Sequence, residues 1–273
     1  MWTTAIPLRR CAPYAAVAFF TIFVLAAVRF NVLDSARDLG GAVAKAKGAE
    51  PCTVSPRMPL RIMPLGDSIT FGMGSAWGNG YRAFLYDYLM ASCGQREVTF
   101  IGSQHSGPMS NGETEGYPGY SIASIANKTQ PALSDSLDRK PNVVLLHAGT
   151  NDFAPFPHDD EPNGEAPERL EWLIDYILQK IPETTLIVAQ IISCPLEGFR
   201  DWIPIFNAAI PHIVEKKVAS GFKVLVADMS QIGIDGSGDL VDDLHPGDHG
   251  YEKMAKLWHQ ALETASEAGL ITQ

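Results

Sequence analysis

"LRIMPLGDSITFG", Leu60–Gly72, is the stretch on which the reading of this chain turns. Its first half, Leu60–Leu65, is an apolar run of strand length. Its second half leaves that run through Gly66-Asp67-Ser68, the residue types of a tight polar turn. Gly-Asp-Ser alone is a common turn and implies no chemistry. It gains meaning only if other polar segments end other strands on the same side.

Four more strand-like runs follow: 97–102 (EVTFIG), 142–149 (NVVLLHAG), 184–192 (TTLIVAQII) and 222–229 (FKVLVADM). The last three are almost wholly apolar and rich in β-branched residues, the pattern of strands covered on both faces. Helical patterns are expected between them, at 80–92, 121–138, 166–181, 201–219 and 248–268. The clearest is 166–181, where Leu170, Leu173, Ile174, Ile177, Leu178 and Ile181 follow i, i+3, i+4, i+7 spacing. Pro167 near its start and Pro182 past its end punctuate it. Pro204 and Pro211 are expected to restrict or bend the fourth helix. Strands alternating with helices predict one α/β domain over 59–273, with a parallel sheet covered on both faces. In such sheets, sites lie at the carboxyl ends of the strands.

Polar segments gather at that rim: Gly66-Asp67-Ser68, Glu115–Ser121 (EGYPGYS), Gly149-Thr150-Asn151-Asp152 and Asp239–Tyr251 (DLVDDLHPGDHGY). A serine hydroxyl is a weak nucleophile and needs a base. His245 can take its proton, and Asp242, three residues earlier, can orient the imidazole. Attack on a carbonyl creates an oxyanion, for which the N–H groups of Ser68 and Gly119 and the Asn151 amide are candidate donors. Asp67, though adjacent to Ser68, is read as a structural residue of the turn.

These segments resemble the four blocks of the SGNH (GDSL-type) hydrolase superfamily. More narrowly, "RIMPLGDSITFG", "GYPGYSI", "VVLLHAGTND", "APERL", "LIVAQII", "FNAAIP" and "DLHPGDHGYEKMA" resemble carbohydrate esterase family three, the acetyl xylan esterases. The resemblance runs in order over about residues 60–260. It implies a three-layer α/β/α sandwich with a five-stranded parallel sheet, flavodoxin-like in arrangement. It also implies removal of acetyl groups from polysaccharide through an acyl-enzyme, with no cofactor and no metal. Carried over by position, Ser68 is the nucleophile, His245 the base and Asp242 the orienting acid. Gly119 and Asn151 join Ser68 in the oxyanion hole, and Asp152 is structural. The alternatives within reach are a lipase- or thioesterase-type acyl hydrolase of the same fold, or a catalytically silent cell-surface carbohydrate-binding protein. The chain departs from the pattern in a long apolar N-terminal run and in an elaborated loop, 153–170, beside the site.

Composition bounds the partners. Of the 273 residues, 46% are hydrophobic and 19% charged, and the formal net charge is -10 with no basic stripe, which argues against nucleic acid. Arg9-Arg10 precede an apolar run, Cys11–Val28, followed by Arg29. This start, 1–30, is read as a signal peptide or a signal anchor, with the anchor spanning residues 11–28 as a single-pass type II segment. Either places the remainder in the secretory pathway or outside the cell. Residues 31–58, rich in Ala, Gly and Lys with no apolar period, read as a linker or stalk. Of Cys52, Cys93 and Cys194, the pairing Cys52–Cys93 is favoured, because both should lie near the amino ends of the strands; Cys194 is left free. Three reduced thiols are the alternative. Asn127-Lys128-Thr129 is a lone glycosylation sequon.

Blander readings apply elsewhere. His147 lies inside a strand and is expected in the core; His249 starts a helix. His158–Glu161 lacks regular ligand spacing and reads as a solvated acidic loop. Asp235–Asp239 lacks the final Glu of a calcium loop. Gly72, Gly74 and Gly78 do not form a dinucleotide fingerprint, and no Gly-x-Ser-x-Gly elbow occurs. Trp77, Tyr81, Tyr117, Tyr120, Phe153 and Phe156 flank the site, and about half are expected to pack in the core.

Overall fold

The computed structural model describes residues 58–93, 97–134, 140–154, 162–234 and 236–272 of the chain. All fall within one unit, Gly48–Gln273. The N-terminal run, the stalk and Cys52 lie outside the described residues. So do Phe156 and His158–Glu161.

The strands are β1 (Leu60–Gly66), β2 (Val98–Phe100), β3 (Gln104–His105), β4 (Glu113–Gly116), β5 (Val143–His147), β6 (Thr185–Gln190) and β7 (Val224–Asp228). β1 pairs in parallel with β5, β5 with β6, and β6 with β7. On its other edge β1 has two parallel partners in succession. β2 pairs with its first half, Leu60↔Val98 to Ile62↔Phe100, and β4 with its end, Gly66↔Gly116. The parallel sheet therefore has five positions, as expected, but they are filled by six strands. β3 adds a seventh, antiparallel to β4. The expected second strand, 97–102, stops at Phe100 because the chain turns away near Gly102. There an added Cβ would lie 2.2 Å from the Thr114 backbone. The edge then returns as the polar Glu113–Gly116.

Period-two alternation separates two cores. Met63, Leu65, Val144, Leu146, Leu186 and Val188 face α3 (Ile122–Ser134), α4 (Ala166–Lys180) and α5 (Phe199–Ala219). Leu60, Ile62, Val143, Leu145 and Ile187 face α2 (Tyr81–Cys93) and α6 (Asp248–Glu267). The result is the three-layer α/β/α sandwich. Each fully buried aliphatic side chain contributes about 1.5–3 kcal/mol of transfer free energy. α5 runs without interruption through Pro204 and Pro211. A one-turn helix absent from the sequence reading, α1 (Ser68–Phe71), follows β1 directly.

Cys93 is the last residue of α2, and its expected partner Cys52 lies outside the described residues. Cys194 is a free, buried thiol. The sequon lies within α3, where the buried Thr129 donates its hydroxyl to Ile125 O. Among the described residues no helix is long and apolar enough to cross a membrane.

Candidate active site

Each residue of Gly66-Asp67-Ser68 has a separate physical reason. An added Cβ at Gly66 would lie 2.0 Å from His147 O, so only glycine lets β1 sit this close to β5. Asp67 is the N-cap of α1 and accepts from Ile69 N–H at 2.9 Å. Ser68 opens the helix with its hydroxyl at the carboxyl rim. Gly72, at φ 106°, closes the turn in the left-handed conformation and returns its N–H to Ser68 O. Asp67 is fully buried, and burial pushes its carboxyl up to about 6.

The turn is held from outside by two residues that the sequence reading passed over. The guanidinium of Arg82, buried at the start of α2, donates to Thr70 O at 2.6 Å, Ser106 O at 3.1 Å and Phe71 O at 3.2 Å. Tyr251 of α6 donates its hydroxyl to Met73 O at 2.6 Å and Ile69 O at 3.1 Å. A buried arginine must be answered by acceptors, and these carbonyls answer its two terminal nitrogens, leaving Nε without a partner. The available signal was a charged residue among apolar ones in "GYRAFL".

His245 arrives on the loop between β7 and α6. Asp239, buried beneath that loop, accepts from Lys253 Nζ at 2.7 Å and Gly233 N–H at 3.1 Å, and its carbonyl accepts from Gly247 N–H at 2.8 Å. Val241 N–H donates to His245 O at 2.9 Å, closing the loop. Asp243 takes the left-handed conformation at φ 62°, and its carbonyl accepts from Cys194 Sγ at 3.1 Å. The turn folds Asp242 back on His245. Its Oδ1 accepts from His245 N–H at 2.7 Å, and its Oδ2 lies 2.8 Å from His245 Nδ1. His245 Nε2 lies 2.9 Å from Ser68 Oγ.

The tautomer follows from charge. Burial pushes the Asp242 carboxyl up, but the hydrogen bonds from the His245 backbone and ring outweigh it and hold it below the usual carboxylate range. An ionised carboxylate only accepts, so Nδ1 carries the proton and Nε2 is free to accept from Ser68.

Asn151 is tied to the residue that follows Gly119. Asn151 Nδ2 donates to Tyr120 O at 3.0 Å, which uses one of its two amide hydrogens. Gly119 has φ 79°, a conformation that disfavours a side chain. Both segments leave the rim beside Gly66, through the registers Gly66↔Gly116 and Gly66↔His147. Asp152 turns away from this group. It accepts from Ile122 N–H at the start of α3 (3.0 Å) and from Arg169 Nε (2.9 Å).

The other titratable candidates fall aside. His147 is fully buried, and burial pushes it down to about 4. Its Nε2 accepts from Ile192 N–H at 3.3 Å. His249 points to Asp239 at 3.7 Å and is exposed. Of the flanking aromatics, Tyr81, Tyr117 and Phe153 are buried, Tyr120 stacks on Tyr117 at 5.5 Å, and Trp77 is exposed. Among the described residues no cluster of three or more His, Cys, Asp or Glu side chains could hold a metal ion. A cavity of about 270 Å³ adjoins the Asp243 turn, lined by Ser193, Cys194, Arg200 and Ile203 among others, but not by Ser68 or His245.

Residues 65–253 match the GDSL-like Lipase/Acylhydrolase family. A multidomain esterase of Ruminococcus flavefaciens is 32% identical over 232 residues, which cover 75% of this chain and 28% of that protein. The chain thus spans well under half of that relative's length. The solved family 3 carbohydrate esterase of Clostridium thermocellum is similar at 33% identity and a TM-score of 0.66, over 79% of this chain and 100% of that one. A family 3 carbohydrate esterase of Talaromyces cellulolyticus shares the fold at 22% identity and a TM-score of 0.60, over 77% and 99% of the two chains.

Proposed function

The chain belongs to the GDSL-like lipase/acylhydrolase family, and on that premise we propose that it is a serine esterase that removes acetyl groups from carbohydrate. The observation that carries the reading is the hydrogen-bonded series Ser68–His245–Asp242, with 2.9 Å and 2.8 Å between the reacting atoms. Such spacing suits a nucleophile, a general base and an orienting acid. Likeness to family 3 carbohydrate esterases supports the substrate class.

Ser68 Oγ attacks the acetyl carbonyl as its proton passes to His245 Nε2. The imidazolium is stabilised by Asp242. The oxyanion is met by the N–H groups of Ser68 and Gly119 and by the second amide hydrogen of Asn151. His245 returns the proton to the departing sugar oxygen, leaving acetyl on Ser68. Water then attacks the acetyl carbon as its proton passes to His245, and His245 returns that proton to Ser68 Oγ as acetate leaves. No cofactor or metal enters this sequence of steps. Residues 11–28 would deliver the enzyme to the secretory pathway, as cleaved signal or anchor, and N-terminal sequencing of the mature protein distinguishes the two.

One observation favours a second reading. Met73, at 43% exposure, and Val241, at 61%, are exposed large apolar residues on the two site loops. An apolar rim could admit a longer acyl chain. A series of model esters, together with acetylated xylan, tests both readings on the wild type and Ser68→Ala. Deacetylation that disappears in Ser68→Ala supports the first. A strong preference for long acyl chains would replace it with the second, and undiminished activity in Ser68→Ala would end the serine mechanism.

A further inference from the structure

α3 and α4 both begin at the carboxyl rim, and the Asp152 carboxylate joins their starts through Ile122 N–H and Arg169 Nε. Outside that junction lies a cavity of about 390 Å³, lined by Ala123 and Asn127 of α3 and by Glu165, Glu168, Arg169 and Trp172. This is within the roughly 300–1,000 Å³ typical of small-molecule sites.

Three features set it apart from an ordinary surface groove. Trp172 is 53% exposed, an unusual place for the largest apolar side chain. Its indole is not loose. It stacks on Tyr176 at 5.6 Å with 15° between the planes, and Lys180 Nζ lies over the Tyr176 ring at 5.6 Å from its centre. Finally, Arg169 is held by Asp152 and by Pro162 O (3.0 Å), yet its Nη2 is shielded from solvent and has no partner. That nitrogen is hydrogen-bonding capacity which the fold of this segment does not itself use.

We propose that this cavity is a carbohydrate subsite, in which one sugar ring of the polysaccharide lies on the Trp172 face while its hydroxyls meet Arg169, Asn127, Glu165 and Glu168. The inference rests on the carbohydrate reading of the active site and extends it to how the polymer is held. A pyranose ring has an apolar C–H face and a polar hydroxyl edge, and the cavity has one surface for each. A lipid tail would leave four polar groups unmatched. An anion would meet two carboxylates and a guanidinium already paired with Asp152. The cavity is linked to the candidate site through the backbone: Asn151 precedes Asp152, whose carboxylate holds Arg169 of the cavity wall.

The test is direct binding to full-length Ser68→Ala, produced in a bacterial host so that Asn127 is unmodified. Xylo-, cello- and manno-hexaoses are titrated by calorimetry. At least one should bind, and adding Trp172→Ala should weaken it about tenfold, the usual scale for truncating a buried-face tryptophan anchor. Trp172→Phe should retain most of the affinity, and Glu168→Gln should weaken binding several-fold. In the otherwise wild-type enzyme, Trp172→Ala should lower the ratio of activity on acetylated xylan to that on a small acetate ester about fivefold. Unfolding midpoints show that the variants are folded. No binding by any hexaose, binding unchanged by Trp172→Ala, or selective binding of a basic peptide would overturn the subsite. Trp172-dependent binding by a protein that hydrolyses no acetate ester would uphold the subsite and remove the esterase reading. Hydrolysis of acetylated xylan with no role for Trp172 would do the reverse.

Discussion

In the proposed mechanism Ser68 depends on its neighbours more than on its own sequence context. Gly66 permits the close strand, Asp67 caps the turn, and His245 arrives from 177 residues away. Because the hydroxyl is useful only with its base, Ser68→Ala should reduce ester hydrolysis by about 10³-fold or more while leaving the fold intact. Asp242→Asn would lose the charge that fixes the tautomer and should reduce kcat by about 10²–10⁴-fold, the smaller loss being favoured by its partial exposure. Steady-state kinetics on a small acetate ester reads both. These residues were legible in the sequence because the roles proposed for them need fixed types at fixed spacings, as in Asp242-x-x-His245. Arg82 was not. Its role is to answer carbonyls at Thr70, Phe71 and Ser106, and no spacing rule announces which carbonyls a loop will leave open.

Among elements, two loops must stay in register: the turn after β1 and the loop before α6. Gly74 is where they touch. It has φ +87°, and an added Cβ would lie 2.5 Å from Pro246 O and 2.9 Å from His245 Cβ. Gly74→Ala should therefore push His245 away from Ser68 and cost about 1–2 kcal/mol in backbone strain alone. The expected outcome is a kcat lowered about 10- to 100-fold with a smaller change in KM, since a displacement near 1 Å suffices for such losses. Kinetics with a thermal melt checks it, and an unaltered kcat would show that the loops yield. Arg82→Lys should lower stability by about 2–4 kcal/mol, because a lysine cannot reach all the carbonyls and leaves buried acceptors unpaired. Denaturant titration measures that loss. The same scale shows where pattern reading stops. β5, β6 and β7 were legible as β-branched apolar runs. β3 and β4 are short and polar, Gln104–His105 and Glu113–Gly116, and they pair because the chain reverses beside β1, which is a property of tertiary context.

For the molecule as a whole, the layer order was legible because each core strand carries both faces in its alternation, while the division of one sheet edge between β2 and β4 left no such trace. The register that results has a thermodynamic consequence. Asp67 and His147 are both fully buried, and His147 is paired with Gly66, the residue before Asp67. Burial disfavours the charged form of each, which acts with opposite sign on stability. Asp67 is raised from about 3.9 to about 6. From pH 4 to 6 the native state therefore holds a proton that the unfolded chain has lost, and stability falls as pH rises. His147 is lowered from about 6.5 to about 4. Between those values the unfolded chain holds the extra proton, and stability rises with pH. Each effect is on the order of 3 kcal/mol, so in the wild type they largely cancel across one window. Substitution should separate them. Asp67→Asn, which keeps the cap on Ile69, should gain stability relative to wild type from pH 4 to 7. His147→Gln, which keeps an acceptor, should lose stability relative to wild type over the same range. Urea unfolding at four pH values gives both differences, and two flat lines would mean that neither group is desolvated as its burial requires.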